Sequence, residues 1–157
     1  QSGFPYWLVP AVAFLLSAII SFATGSSWGT FAIMMPLVIP TAFAIDAPLL
    51  VAIGAVLSGG LFGDHCSPIS ETTILSSTGA GCDQFEHFKT QLPYALMNGS
   101  IALVSFVVAG FTGSTWVVLG ALIAQLILVT LLAKCDASKN TSSEVQPQVS
   151  ESKTQQV

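Results

Sequence analysis

Long apolar stretches make up most of this chain, and short polar segments separate them. Residues 7–23 are almost wholly apolar, and a second stretch, residues 30–45, contains Pro36 and Pro40. Residues 49–62 and 94–133 carry no charged side chain. About 20 apolar residues are enough for a helix to cross the roughly 30 Å hydrocarbon core of a bilayer. The pattern therefore predicts an all-α membrane protein with several transmembrane helices.

The first two apolar stretches meet at a polar segment, residues 24–29, and two arrangements fit this pattern. One is a pair of separate spans joined by a tight turn outside the membrane. The other is a re-entrant hairpin over residues 7–45, whose tip lies at membrane depth and offers free backbone groups to a substrate. In the hairpin, Ser26, Ser27 and Thr30 are candidate polar ligands.

A polar run interrupts the third apolar stretch, which is too short to span a bilayer alone. Residues 63–73 read Gly-Asp-His-Cys-Ser-Pro-Ile-Ser-Glu-Thr-Thr. Pro68 lacks a backbone donor and breaks a helix, so the sequence predicts a broken helix over residues 49–78. Transporters use such breaks to expose helix ends to substrate and ion.

The remainder of the sequence predicts an interfacial segment, two further spans and a tail. Phe85, Phe88 and Leu92 recur at helical spacing among charged residues, which indicates an amphipathic interfacial segment over residues 79–92. Spans are predicted at 94–111 and 115–133, completing a transmembrane domain over residues 1–133. Residues 134–157 are rich in Ser, Thr and Gln and are predicted to be a disordered tail.

Lysine positions predict the orientation. Lys89 and the tail lysines are separated by two predicted spans, so they lie on one side of the membrane, and the positive-inside rule makes that side the cytoplasm. We expect a multi-pass protein of the cell inner membrane with a cytoplasmic tail. The chain begins at Gln1 without a basic segment. This predicts a fragment that lacks the N-terminal half of the same transporter.

Composition narrows the possible classes further. Only 8% of residues are charged and the mean hydropathy is +0.76, whereas a soluble domain has about 25% charged residues. The net charge of −4 offers no basic surface for nucleic acid. Three cysteines without a CxxC pattern argue against a disulfide framework or a zinc site. Without a phosphate-binding glycine loop or a catalytic motif, the sequence predicts neither a nucleotide cofactor nor an enzyme.

Asp64 is the first candidate for the functional site. An ionisable group inside a bilayer is costly and usually faces a pathway or cavity. Carboxylates and hydroxyls are the oxygen ligands that hard cations such as Na⁺ prefer, so Asp64, Ser67 and Ser70 are candidate Na⁺ ligands. The hydroxyls of Thr72 and Thr73 could complete the site, and of these two we include Thr73 in the predicted set. The carboxylate could hold a proton when the ion leaves. The alternative is that Asp64 merely caps the half-helix after Pro68, and that the hydroxyls cap helices or bond to carbonyls.

Glu71 and His65 are further candidates with open roles. Glu71 is either a second proton carrier or a structural acid paired elsewhere, because Pro68 makes its register relative to Asp64 uncertain. His65 could shuttle protons, since the imidazole titrates near physiological pH, or it is a hydrogen-bonded structural residue.

Three ordered motifs resemble the C-terminal part of NhaC-type Na⁺/H⁺ antiporters, and the similarity runs from about residue 7 to 133. The motifs are Gly25-Ser26-Ser27-Trp28-Gly29-Thr30, Gly63-Asp64-His65-Cys66-Ser67-Pro68-Ile69-Ser70 and Thr72-Thr73-Ile74-Leu75-Ser76-Ser77-Thr78-Gly79-Ala80. The resemblance leads us to expect Asp in many relatives at the position of Glu71, which leaves the role of Glu71 open.

The resemblance implies one half of an inverted-repeat transporter that exchanges Na⁺ for H⁺ in the lipid bilayer without a cofactor, with a homodimer as a further expectation. It favours the hairpin over two separate spans, with the hairpin tip and the broken helix meeting at mid-membrane. Two alternatives stay open. One is an organic-acid antiporter of the malate and lactate type, and the other is a non-transporting membrane subunit.

Overall fold

The computed structural model describes residues 5–113, 116–117, 120–121 and 123–130, and all regular structure in this part of the chain is helical. Within residues 5–113, a 3₁₀ turn, Tyr6–Leu8, precedes five helices. They are α1 (Val9–Thr24), α2 (Ser27–Ala44), α3 (Leu49–His65), α4 (Glu71–Ala80) and α5 (Gln84–Thr112). The all-α prediction is confirmed over these residues.

The boundary between α1 and α2 is a sharp turn of two residues. Gly25 ends α1 in the left-handed conformation, with φ of 66°, which glycine adopts without steric cost. Ser26 then caps α2, because its Oγ accepts a hydrogen bond of 3.4 Å from the Gly29 amide.

The predicted interruption at the polar run is present. α3 ends at His65, and α4 begins at Glu71 after a turn that contains Pro68. Ser70 caps α4 by accepting a hydrogen bond of 3.2 Å from the Thr72 amide. The cap of the second half-helix is therefore Ser70, and Asp64 does not fill that role.

The last long helix differs from the predicted division into an interfacial segment and a span. α5 begins after Asp83, whose carboxylate accepts from the Phe85 and Glu86 amides, and continues through Pro93 to Thr112. A proline removes one helical hydrogen bond but need not end a helix whose neighbours hold it. One helix thus contains both the charged residues after residue 83 and the apolar residues 94–111.

α1 and α3 run side by side in the same direction, and glycines on α3 permit close contact. A Cβ atom at Gly59 or Gly63 would collide with the backbone carbonyls of Phe14 and Ala18 on α1. Glycines four residues apart, on one face, let two membrane helices approach this closely. This packing places the C-terminal turn of α3 against the C-terminal half of α1.

Among the described residues, three helical segments are long and apolar enough to cross a membrane: Tyr6–Thr24, Ser27–Ala44 and Gln84–Thr112; α3 is apolar but shorter. The described residues fall into two compact units that divide between residues 121 and 122. Of the predicted span 115–133, residues 116–117, 120–121 and 123–130 are described and are helical. The predicted tail, residues 134–157, lies outside the described residues.

Candidate functional site

The break between α1 and α2 touches the break between α3 and α4. The Glu71 amide donates a hydrogen bond of 3.4 Å to the Gly25 carbonyl. A Cβ atom at Gly25 would lie 2.7 Å from the carbonyl oxygen of Ile69, so only glycine fits there. Two helix C-termini, which carry partial negative charge, and two helix N-termini, which carry partial positive charge, are thereby brought together.

Asp64 lies in the last turn of α3, beside this contact, and only 1% of its surface is exposed. Its Oδ1 accepts a hydrogen bond of 2.8 Å from Ser70 Oγ, and its Oδ2 accepts one of 2.9 Å from Thr72 Oγ1. The two hydroxyl oxygens are themselves 2.7 Å apart. We call Asp64, Ser70 and Thr72 the Asp64 cluster.

The Asp64 cluster contains more oxygen–oxygen contacts at hydrogen-bond distance than its two hydroxyl protons can satisfy. Each hydroxyl supplies one proton, whereas the ring Asp64–Ser70–Thr72–Asp64 contains three oxygen–oxygen contacts at hydrogen-bond distance. An ionised carboxylate takes both hydroxyl protons and leaves the Ser70–Thr72 contact without one. The ring is complete when the carboxyl group of Asp64 supplies a third proton.

Ser67 and Thr73, both predicted ligands, are buried but do not bond to the Asp64 carboxylate. Ser67 Oγ accepts a hydrogen bond of 3.4 Å from the Ile69 amide, so it holds the turn. Thr73 Oγ1 is buried and has no hydrogen-bond partner within the described part of the chain. A buried hydroxyl without a partner is unusual and leaves a free oxygen near the start of α4.

The two other titratable candidates are exposed. Glu71 lies in the first turn of α4, where a negative charge is favoured by the helix dipole. His65 Nδ1 lies 2.8 Å from the Leu61 carbonyl in the preceding turn of α3. Since a carbonyl only accepts, this contact requires the proton on Nδ1. The structure brings neither side chain into the Asp64 cluster.

The hairpin-tip candidates form their hydrogen bonds within their own turn and the start of α2. Ser26 caps α2, and Thr30 Oγ1 donates a hydrogen bond of 3.0 Å to the Ser26 carbonyl. Ser27 and Thr30 are both buried, whereas Trp28 is 76% exposed and packs its ring edge-on against Phe31. The link between the two breaks is made by Gly25 and not by these hydroxyls.

Two residues with direct contacts are missing from the predicted set. Thr72 bonds to Asp64, and Gln84 Nε2 donates a hydrogen bond of 2.6 Å to the Pro68 carbonyl. The run of hydroxyl residues after Pro68 drew attention to Thr72 without distinguishing it from Thr73. No local pattern marks Gln84, because its partner lies 16 residues earlier across a turn.

The described residues contain no group of three or more His, Cys, Asp or Glu side chains that could hold a metal ion. The oxygen atoms of the Asp64 cluster come from one carboxylate and two hydroxyls. Such oxygens suit hard cations and protons, whereas Zn²⁺ and the later transition metals favour imidazole and thiolate.

Comparison with known proteins identifies the family. The family model described as "Na+/H+ antiporter family" matches residues 5–111, which include both helix breaks and the Asp64 cluster. The chain belongs to the Na⁺/H⁺ antiporter family. This agrees with the resemblance drawn from the three sequence motifs.

Individual antiporters also match the chain. It is 38% identical over 96 residues to an uncharacterized Na(+)/H(+) antiporter of Haemophilus influenzae, covering 59% of this chain and 20% of that protein. It is 35% identical over 97 residues to the malate-2H(+)/Na(+)-lactate antiporter of Bacillus subtilis, covering 62% and 21%. It is 34% identical over 114 residues to the Na(+)/H(+) antiporter NhaC of Alkalihalophilus pseudofirmus, covering 71% and 24%.

The chain thus spans about a quarter or less of the length of these antiporters. No solved structure matches it.

Proposed function

We propose that this chain supplies part of the ion-binding site of a secondary transporter that exchanges Na⁺ for H⁺, with Asp64 as the residue that both ions share. The observation that carries this proposal is the ring of three oxygen contacts with only two hydroxyl protons. A proton on Asp64 completes the ring. Alternatively, a cation takes the place of that proton and binds the carboxylate and hydroxyl oxygens.

The exchange follows from the charge of the buried carboxylate. A negative charge without a counter-charge is costly at 1% exposure, and either a proton or a cation bound at Asp64 would remove that cost. When Na⁺ binds, Ser70 and Thr72 turn their lone pairs towards it, and the proton leaves. When H⁺ returns, the hydroxyls again donate around the ring. Competition for one carboxylate couples the two fluxes without a nucleotide or a resident cofactor.

Further ligands complete the coordination of Na⁺ in this proposal. Thr73 Oγ1, buried and without a hydrogen-bond partner among the described residues, is the first candidate, and Ser67, buried in the turn between α3 and α4, is the second. Ser26, Ser27 and Thr30 contribute from the tip of a re-entrant hairpin formed by α1 and α2. Glu71 and His65 lie outside the Asp64 cluster and serve as secondary proton carriers at most.

The transporter in this proposal is a multi-pass protein of the inner membrane, built as an inverted repeat. Because the matched antiporters are about four to five times as long as the aligned segments, the remaining ligands and the second repeat would come from further sequence of a protein of that length. The tail would lie in the cytoplasm, the exterior would face lipid, and two copies could form a dimer. No step requires an enzymatic activity.

The test compares wild type with Asp64→Asn in everted membrane vesicles that contain the whole transporter. Sodium addition should collapse the pH gradient in wild type. We expect the response of the variant to be at least about tenfold smaller, because an amide neither releases a proton nor neutralises a cation. The size of the effect follows from hydrogen bonds to a charged group, which are worth roughly 1.5–3 kcal/mol. Asp46→Asn is the matched control. Asp46 is exposed in a turn with φ of 53°, a conformation that Asn also tolerates.

Full activity of Asp64→Asn would overturn the assignment of the site. A gradient collapse driven by malate or lactate, with no response to sodium alone, would assign the chain to an organic-acid antiporter instead. An organic anion needs a cationic or amide partner, and arginine is absent from this sequence. For this reason the cation exchanger is the better supported of the two functions.

A further inference from the structure

The turn between α3 and α4 is contacted by residues from two other parts of the chain. Gly25, at the end of α1, contacts Ile69 and accepts from the Glu71 amide. Gln84, the first residue of α5, donates from Nε2 to the Pro68 carbonyl at 2.6 Å. The second contact joins the charged segment after α4 to the residues that carry the Asp64 cluster.

The Pro68 carbonyl is available to Gln84 because of how the Asp64 cluster is built. In an unbroken helix this carbonyl would accept from the amide of Thr72, four residues later. Here the Thr72 amide donates instead to Ser70 Oγ, at 3.2 Å. The same Ser70 hydroxyl bonds to Asp64. When Gln84 occupies the Pro68 carbonyl, the Thr72 amide remains bonded to Ser70 Oγ. Ser70 then stays where its hydroxyl meets the Asp64 carboxylate.

We propose that Gln84 is a positioning residue for the cation site, because its hold on the Pro68 carbonyl keeps Ser70 and Thr72 on Asp64. This inference rests on the proposed function of the Asp64 cluster and adds a residue that the sequence motifs do not mark. Without the amide donor, the Pro68 carbonyl competes for the Thr72 amide, and α4 rewinds by part of a turn. Ser70 and Thr72 then move relative to the carboxylate, which lowers the affinity for Na⁺ before it affects the turnover of the bound ion.

Two variants of Gln84 separate the effect of its hydrogen-bond donor from the effect of its side-chain size. Gln84→Met keeps the length and loses the donor, so the sodium concentration for half-maximal exchange should rise about three- to tenfold, as expected for one hydrogen bond. The maximal rate should change less. Gln84→Asn keeps an amide and should recover part of the affinity. Gln91→Met is the matched control, since residue 91 lies two turns further along α5 and seven residues from Gln84.

Gln84→Glu gives a pH readout that a merely structural role would not produce. A protonated glutamic acid donates to the Pro68 carbonyl, whereas an ionised one only accepts and repels it. The ratio of the variant's half-saturation constant to that of wild type should therefore be near one at acid pH and rise as pH increases. The other titratable groups on the packed elements are shared by both proteins, so their titration cancels in the ratio. They are Tyr6, Asp64, His65, Cys66, Glu71, Cys82, Asp83, Glu86, His87, Lys89 and Tyr94.

The outcomes separate this inference from the proposed function. If Asp64→Asn abolishes exchange while Gln84→Met and Gln84→Glu match wild type at every pH, Gln84 is not a positioning residue and the site stands. If Asp64→Asn retains exchange, the proposed function fails first. If Gln84→Met and Gln91→Met weaken exchange equally and only in maximal rate, the effect is one of helix stability, and the inference fails.

Discussion

Thr72 and Thr73 show how adjacent residues of the same type acquire different roles. Thr72 Oγ1 donates to Asp64 Oδ2 and lies 2.7 Å from Ser70 Oγ, whereas Thr73 Oγ1 is buried without a partner among the described residues. Successive residues on a helix point about 100° apart, and of these two it is Thr72 that bonds to the carboxylate. The direction in which α4 leaves the turn decides which one it is.

Replacing Thr72 with Val should weaken cation binding while keeping the shape of the side chain. The ring loses one hydroxyl, so Asp64 Oδ2 loses its donor and a bound cation loses an oxygen. We expect the half-saturation constant for sodium to rise about tenfold, since a hydrogen bond to a charged group is worth roughly 1.5–3 kcal/mol. Sodium-dependent gradient collapse in everted vesicles measures it.

Thr78→Val is the control for this substitution. Thr78 lies on the same helix, is exposed, and donates only to the Ile74 carbonyl in its own helix. Equal effects of the two substitutions would remove Thr72 from the site. An effect at Thr72 alone, with normal protein levels, would place it among the ligands.

At the scale of helices, the Asp64 cluster depends on how closely α1 and α3 approach. Gly59 and Gly63 on α3 face the backbone of α1, and Ser21 Oγ on α1 donates to the Gly60 carbonyl at 2.6 Å. In a regular helix the Gly60 carbonyl is also the acceptor for the Asp64 amide. The first arm of the predicted hairpin therefore bonds directly to the helical turn that carries Asp64.

Gly63→Ala should lower the stability of the protein in detergent. The added methyl group would collide with the Ala18 carbonyl, and overpacking of this kind costs about 1–3 kcal/mol. We expect a lower melting temperature. Size-exclusion chromatography of samples heated to increasing temperatures would measure it. Gly79→Ala is the control, because nothing lies within 4 Å of its added methyl group and alanine is the better helix former. A normal melting temperature for Gly63→Ala would show that α1 and α3 have room to separate.

At the scale of the whole molecule, the described residues expose many large apolar side chains. Leu50, Trp28 and Trp116 are among the most exposed, with 83%, 76% and 77% of their surfaces accessible. Apolar exposure on this scale is expected where lipid or further protein covers the surface. It agrees with three helices long enough to span a membrane and with membership of an antiporter family.

The predicted orientation can be tested with the cysteines. Cys82 is exposed in the connection between α4 and α5, and Cys66 is buried beside Asp64. If this connection lies in the cytoplasm, a membrane-impermeant maleimide should label Cys82 in everted vesicles and not in right-side-out vesicles. A Cys135→Ser background removes the thiol of the tail, and Cys82→Ser in that background is the negative control for labelling. Labelling of Cys82 only in right-side-out vesicles would show that the orientation is opposite to the predicted one.

The sequence by itself determined the helical class of this protein and marked Asp64 as the first candidate acid. Runs of apolar residues predict membrane helices because few charges are available to cover a soluble surface, and Pro68, four residues after Asp64, marks the broken helix. Caps such as Asp83 are local, and they too can be read from neighbouring residues.

Only the tertiary structure decided which side chains meet Asp64. Thr72, and neither Ser67 nor Thr73, bonds to Asp64 because of the path of the turn, which Gly25 and Gln84 contact from distant parts of the chain. Helical periodicity relates residues within one regular element, and it is lost where a proline interrupts the helix. The partners across the break are therefore set by long-range packing, which no local pattern of residues records.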